Sequence, residues 1–569
     1  MAEPATLVDI LARRAATEPS DRAYLFLSDN GAEEASLTYA ELFARANALA
    51  TRLATVARPG DRAILVFPSG LEFVVALFGC FIARVIAVPI MVPRRQSARD
   101  SSASIVADCA ASVALTSPAL NARHDELCER FADLEWLTID LAADEPGTFS
   151  GPLPAPDDVA FLQYTSGSTS DPKGVVITHR NLMVNEEMMR VSLGNSARST
   201  CVNWIPHFHD MGLIFGVLHP LYLGSLSVLM SPNAFMQRPI VWLRAISRYR
   251  AEAAASPNFG YDLCVSRYKP ELMADLDLSC WKVMCCGAEP IRAETLRRFA
   301  ETFAPHGFDR RAVYPCYGMA ETTLQATGRM RGEGYGTRLI SRSGLQAHLV
   351  REPAEDGDAQ TIVGCGRAVL DQRVAIVNPR SGDRLGADQI GEIWVSGDNI
   401  ATAYWRNDKE TEMSLRAHLH GEKGDWLRTG DLGFLDASEE LFVTGRIKEM
   451  IIVRGMNHYP QDIERTVQAA HPALRQNGGA AFSVEGERGE EELVIVQEVE
   501  RTQRNKIDPQ EIVGILREAV TKEHEIYARH IVLIRPNTLP KTTSGKLQRS
   551  LTRKLWQEGT LDYLTTEPV

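Results

Sequence analysis

The feature that most limits the fold of this chain is an alternation. Helix-like stretches such as residues 39–54 alternate with short β-rich runs such as residues 62–67. That pattern predicts a layered α/β architecture rather than a helical bundle or a β-sandwich. No internal repeat stands out. At 569 residues the chain is too long for one ordinary domain, and roughly two to four interfacing units are expected. With 45% hydrophobic and 24% charged residues it can bury a large core, and collagen-like, disordered and disulfide-scaffold classes are excluded.

Lysine and arginine total 61 against 73 aspartate and glutamate, a net charge of -12. The overall field repels nucleic acid and anionic lipid, so neither is an expected partner, and an anionic ligand would need local cations and backbone N–H groups. The ten cysteines are scattered without C-x2-C spacing, which predicts a reduced, cytoplasmic protein. The start, MAEPATLVDILARRAATEPSD, is broken by Asp9, Arg13 and Arg14. It reads as an amphipathic surface helix, not a signal peptide. Residues 73–93 are strongly apolar, but Arg84 and Pro89 interrupt them. A buried helix followed by a strand is predicted there, with no membrane span.

Linker-like stretches occur at residues 147–157 and 351–360. From about residue 446 the pattern becomes a small α+β unit with strands at 450–453, 492–499 and 531–534. A helix between the last two is signalled by Asp508 as cap, Pro509 at its first position and Glu511 returning a capping bond. Its apolar face is read as Ile512, Ile515, Leu516 and Ala519. The expected division is a large lobe, residues 1–447, and a small C-terminal lobe, residues 448–569.

The strongest local motif is YTSGSTSDPKGV at residues 164–175. Thr165, Ser166, Ser168 and Thr169 offer hydroxyl donors, Gly167 and Gly174 let backbone approach an anion, and Lys173 adds positive charge. β-like runs at 158–164 and 175–178 place this loop between two strands. A Walker A loop would instead open a helix. Taken alone, a Gly/Ser-rich surface turn fits the segment as well.

Four further motifs follow in order: CYGMAETT at 316–323, WLRTGDLGFL at 426–435, VTGRIKEMIIVRG at 443–455 and LPKTTSGKLQR at 539–549. With the first they resemble the ANL superfamily of adenylate-forming enzymes across nearly the whole chain. NWIPHFHDMGLIFGVLHPLYLG at 203–224, SPNFGYDLC at 256–264, GAEPIRAETLRRFAETFAPHGF at 287–308 and RGMNHYPQDIE at 454–464 are most similar to fatty acyl-AMP ligases. The resemblance implies ATP and Mg2+ as cofactors and adenylation of a fatty acid with release of pyrophosphate. The acyl group would then pass to the phosphopantetheine of an acyl carrier protein.

The resemblance also implies roles. Lys546 would bridge carboxylate and α-phosphate, with Lys541 a bystander. Glu321, with Thr165, would hold Mg2+ against the phosphates, a hard-cation task suited to oxygen ligands. Asp431 would accept from the ribose hydroxyls with Arg446 beside it. Tyr317 would stack on adenine, flanked by Gly318, Met319, Ala320 and Thr322, with Gly287, Ala288 and Glu289 along the base edge. His209 and Asp210 would line the reacting carboxyl, while His207 is structural. Phe208, Met211, Ile214, Phe215, Leu218 and Phe259 could wall an alkyl tunnel, although apolar periodicity does not separate cavity lining from core packing. Lys448 occupies the hinge position about which the small lobe would turn.

Two departures stand out. Ser170 replaces a usual glycine, at a cost of order 1 to 2 kcal/mol if that position needs φ > 0, and Cys286 stands where these ligases usually have asparagine. The long stretch at 329–363 resembles the insertion that is thought to restrain the small lobe of fatty acyl-AMP ligases, or is a variable surface loop. Alternatives are an acyl-CoA synthetase using free CoA and a non-catalytic nucleotide-binding scaffold.

Overall fold

The computed structural model describes residues 4–93, 102–165, 172–453, 456–486, 491–542 and 546–564. Two seven-stranded sheets form the frame. One runs in the order Val313–Pro315, Val283–Cys286, Ala253–Ser256, Cys201–Asn203, Ser227–Met230, Arg22–Leu27, Glu33–Thr38, parallel except at its last pair. The other runs Ala403–Tyr404, Lys173–Thr178, Val159–Thr165, Ile86–Ile90, Arg62–Val66, Val113–Thr116, Glu135–Thr138. Parallel strands covered on both faces need continuous apolar runs, and Val283–Cys286, Ala253–Ser256 and Ile86–Ile90 are buried throughout. One core cluster draws on residues of both sheets, so the architecture is the layered α/β fold expected.

The N-terminal helix Leu7–Thr17 is the predicted amphipathic one. Thr6 and Asp9 form its capping box, and Leu7, Val8, Ile10 and Leu11 face the core. The apolar stretch after residue 70 becomes the buried helix Leu71–Ala83 and the strand Ile86–Ile90. Arg84 caps that helix in the left-handed conformation, φ 57°, and its guanidinium grips Asp158 through bonds of 2.9 and 3.2 Å. A charge in the middle of an apolar run is thus the stop between two elements. Among the described residues no helix is long and apolar enough to cross a membrane.

A four-stranded antiparallel sheet, Arg373–Val377, Gly391–Ser396, Leu427–Leu435, Leu441–Arg446, precedes the small C-terminal unit. That unit has a three-stranded sheet, Leu474–Glu485, Glu491–Val499, Ala528–Ile534, and its two main apolar clusters contain only residues from 451 onward. Its helix Pro509–His524 is capped by Asp508, which accepts from Gln510 N–H at 2.9 Å. The cap is therefore a bond two residues ahead, in place of the return bond read for Glu511. The helix buries Ile512, Val513, Leu516 and Val520, a face rotated from the predicted one because Val513 and Val520 point at the sheet.

The stretch at 329–363 folds into strands Thr337–Ser341 and Ala359–Val363, paired antiparallel, with helix Arg342–Gln346 between them. It packs on the small unit. Asn457 Nδ2 donates to Gln346 O at 3.0 Å, Gln360 Nε2 donates to Asp462 at 3.0 Å, and Arg342 pairs with Glu523. Ile340, Leu345 and Ile362 share an apolar cluster with Tyr459 and Met450.

Candidate active site

The phosphate-type loop leaves strand Val159–Thr165 and returns on Lys173–Thr178, with Thr165 opposite Lys173 in the antiparallel register. The strand–loop–strand reading holds. Ser166, Gly167, Ser168, Thr169 and Ser170 lie outside the described residues. Thr165 and Lys173 line a cleft of about 2640 Å³ between the large sheets and the C-terminal unit. Gly174 does not line it. A Cβ there would sit 2.9 Å from the Tyr164 ring and 3.2 Å from Trp405, so this glycine makes room for aromatic packing rather than for an anion.

The strand Cys201–Asn203 leads into the loop carrying Phe208, His209 and Asp210, which ends in a wide π-helical segment, Met211–Leu218. Such wide turns are rare and recur at functional sites. Asp210 caps it, accepting from Met211 N–H at 2.6 Å, and its carboxylate lies 2.7 Å from His209 Nδ1. Burial pushes the Asp210 carboxyl up, but His209, the Met211 bond and the more distant Lys546 charge outweigh it and hold the group below the usual carboxylate range. Phe208, Met211, Phe215 and Phe259 face the cleft. Ile214 and Leu218 do not: both are fully buried in the core, because the π-helix turns them toward the sheet. His207 is buried against Phe73, and burial lowers its pKa to about 4.

The chain segment after strand Val313–Pro315 forms one wall. Tyr317, Gly318, Met319, Ala320 and Glu321 line the cleft. A Cβ at Gly318 would meet Leu324 O at 1.8 Å, so only glycine fits. Thr322 is buried outside the cleft, where its hydroxyl donates to Met319 O at 2.9 Å and fixes the turn. It is a structural residue, not a nucleotide contact. Gly287, Ala288 and Glu289 stand opposite, with Ala288 at φ 65°. Glu289 accepts from Phe259 N–H at 2.6 Å, and burial raises its pKa to about 6. Cys286 is fully buried beneath them.

Tyr317 and Arg446 both reach Asp431. The Tyr317 hydroxyl donates to one carboxylate oxygen at 2.7 Å, and Arg446 Nε donates to the other at 2.6 Å. A two-oxygen acceptor is thus oriented in the middle of strand Leu427–Leu435, opposite Arg446 at the end of the neighbouring strand. Lys448 lies two residues on, also facing the cleft.

Glu321 is 7% exposed. Its carboxylate accepts from the Tyr404 hydroxyl at 2.8 Å, and no basic side chain pairs with it among the described residues. Burial raises its pKa despite that bond. A buried carboxylate with only a neutral partner fits a hard divalent cation that keeps water and phosphate oxygens in its other positions.

Lys546 arrives from the C-terminal unit. Thr542 N–H donates to Lys546 O at 2.7 Å and Lys546 N–H donates to Thr542 Oγ1 at 3.0 Å, which closes the turn that carries it. Its side chain is exposed to the cleft but crowded by both walls. Burial and the Arg446 charge push its pKa below that of an ordinary lysine, against Asp431, Glu449 and Asp210, which raise it. Lys541 lines the same cleft but donates to Asn477 O at 2.6 Å.

Two residues were not anticipated from sequence, Tyr404 and Glu410. Tyr404 reaches the site because Ala403–Tyr404 pairs with Val175 and Val176 of the strand after the loop. Lys173 Nζ lies 2.5 Å from Glu410 and 5.4 Å from the Tyr404 ring centre. No short motif signals such a cross-strand placement.

Known proteins resemble this chain over most of its length. Residues 11–405 match the AMP-binding enzyme family, and residues 448–566 match the AMP domain of Disco-interacting protein 2-like proteins. A medium-chain-fatty-acid acyl-carrier-protein ligase of Moorena producens is 43% identical, covering 98% of this chain and 96% of its own. The crystal structure of a fatty acid AMP ligase from Legionella pneumophila is 37% identical with a TM-score of 0.74, covering 99% and 98%. A fatty acyl-adenylate ligase of the same organism, solved with acyl adenylate and pyrophosphate, is 36% identical with a TM-score of 0.76 and the same coverage.

Proposed function

The chain belongs to the AMP-binding enzymes of the ANL superfamily, in its fatty acyl-AMP ligase branch, and we propose that it joins a fatty acid to the AMP of ATP and passes the acyl group to a carrier-protein phosphopantetheine. The observation that carries this reading is the convergence on one cleft of Lys546, from the C-terminal unit, with Asp431, Glu321 and Lys173 of the large lobe.

Adenylation breaks the bond between the α- and β-phosphates as a carboxylate oxygen attacks the α-phosphorus. Negative charge grows on the α-phosphoryl oxygens and on the leaving pyrophosphate. Lys546 meets the first of these charges and Lys173 the second. Asp431 takes the ribose hydroxyls, Tyr317 packs on adenine, and Gly287 admits the base edge. His209 and Asp210 orient the carboxyl, and the aromatic side chains of Phe208, Phe215 and Phe259 take the alkyl chain, each buried CH2 contributing about 0.8 kcal/mol. Glu321 and Thr165 would hold Mg2+, which when bound supplies positive charge to the phosphates.

Because Lys546 stands on a separate unit, movement about Lys448 would withdraw it once acyl-AMP has formed and open the cleft to the acceptor. The contacts between the 329–363 insertion and the small unit favour a restrained lobe, and hence a carrier protein over free CoA as acceptor. Product analysis with ATP, an acyl-chain series, and either CoA or holo-carrier protein tests the proposal. Efficient acyl-CoA formation would leave adenylation standing and remove the carrier-protein assignment.

A further inference from the structure

The phosphate-site lysine already has a partner. Lys173 Nζ lies 2.5 Å from Glu410 Oε1, with the two side chains 21% and 26% exposed. The carboxylate is held in place from behind: Ser414 Oγ donates to Glu410 Oε1 at 3.1 Å, and Asn407 caps the short helix Asp408–Glu410 by accepting from Glu410 N–H at 3.1 Å. The same segment supports the metal-type carboxylate. Tyr404 N–H donates to Thr411 Oγ1 at 3.0 Å, and the Tyr404 hydroxyl reaches Glu321. Lys173, Tyr404, Glu410 and Glu321 all line the cleft.

We propose that Glu410 is an internal occupant of the triphosphate subsite: without nucleotide its carboxylate holds Lys173, and the phosphates of ATP must displace it. The inference rests on Lys173 being a phosphate contact. A carboxylate and a polyphosphate compete for one ammonium group, and at close range the two anions repel each other. Burial pushes the Glu410 carboxyl up, but Lys173, Ser414 and Lys448 more than offset this, so it stays an anion at neutral pH. In the position shown, Glu410 also feels the charge of Lys448. Glu410 is a positioning residue: it keeps Lys173 aimed across the cleft and sets how tightly ATP binds.

The test is calorimetric titration of the full chain with MgATP and, separately, with AMP, which lacks the phosphates that would meet Lys173. Glu410→Gln keeps the acceptor for Ser414 and removes the charge. It is expected to bind ATP about fivefold more tightly, the factor equivalent to roughly 1 kcal/mol for one partly exposed ion pair. AMP affinity should not change, the KM for ATP in pyrophosphate exchange should fall by the same factor, and Glu410→Asp should lie between the two. Unchanged or weaker ATP binding by Glu410→Gln, with Lys173→Met still weakening ATP relative to AMP, overturns the inference alone. If Lys173→Met binds ATP as the parent does, the phosphate-contact reading falls and the inference falls with it.

Discussion

Replacing Lys546 by alanine separates catalysis from folding more cleanly than any other change in this protein. The turn that holds the residue is closed by backbone and Thr542 contacts at 2.7 and 3.0 Å, none of which uses the lysine side chain. The side chain is exposed to the cleft, so its loss should alter stability by no more than about 0.5 kcal/mol. The first half-reaction loses far more. One fixed donor aimed at charge that develops in the transition state accounts for roughly 10²- to 10³-fold in rate, or about 3 to 4 kcal/mol. Lys546→Ala should therefore lower ATP–pyrophosphate exchange by at least about two orders of magnitude while the melting temperature and AMP binding stay near those of the parent. A variant retaining more than about a tenth of the exchange rate would falsify the placement of the main catalytic charge on this residue. pH supplies a second reading. Desolvation by the cleft walls that crowd Lys546, and then the Arg446 charge, lower its pKa, so its ammonium is lost below the pH at which an ordinary lysine deprotonates. Adenylation should fall on that alkaline limb. Folding stability moves the other way there, since the unfolded chain binds the proton more tightly and deprotonation favours the folded state.

Three further outcomes follow from individual contacts. Gly318→Ala puts a methyl within 1.8 Å of the Leu324 carbonyl, so nucleotide binding should be lost and stability reduced by several kcal/mol, of order 3, in denaturant melts. Glu289, ordinarily near 4.5, is raised to about 6. Its folded state holds a proton the unfolded chain has released, so the protein should lose up to about 2 kcal/mol as pH rises through that interval. Glu289→Gln, which can still accept from Phe259, should flatten that part of a stability–pH profile. Replacing residues 342–358 by a short turn removes the Gln346–Asn457 and Arg342–Glu523 contacts, and thioester formation with free CoA should rise while pyrophosphate exchange is little changed.

What the chain announces and what it conceals divide by range. Arg84 in an apolar run, the amphipathic N-terminal helix and the strands flanking the phosphate-type loop are local signals, and each appears in the fold as read. Ile214, Leu218, Thr322 and Gly174 have the same local character as true cleft residues. Only the π-helix, the Thr322 turn bond and the aromatic packing around Gly174 show that they face elsewhere. Tyr404 and Glu410 could not be found by pattern at all. Their roles depend on pairing a short strand with one more than two hundred residues earlier, and nothing in composition or periodicity records a partner at that distance.

The two main apolar clusters of the C-terminal unit are made only of its own residues, from 451 onward, while Tyr459 and Met450 pack on the large lobe. A chain cut near residue 447 would therefore leave two pieces, each retaining most of its own core, with the proposed nucleotide contacts on one and Lys546 on the other. Mixed in solution, such pieces should recover activity in proportion to how often they meet. Dilution would then silence the enzyme without unfolding either half.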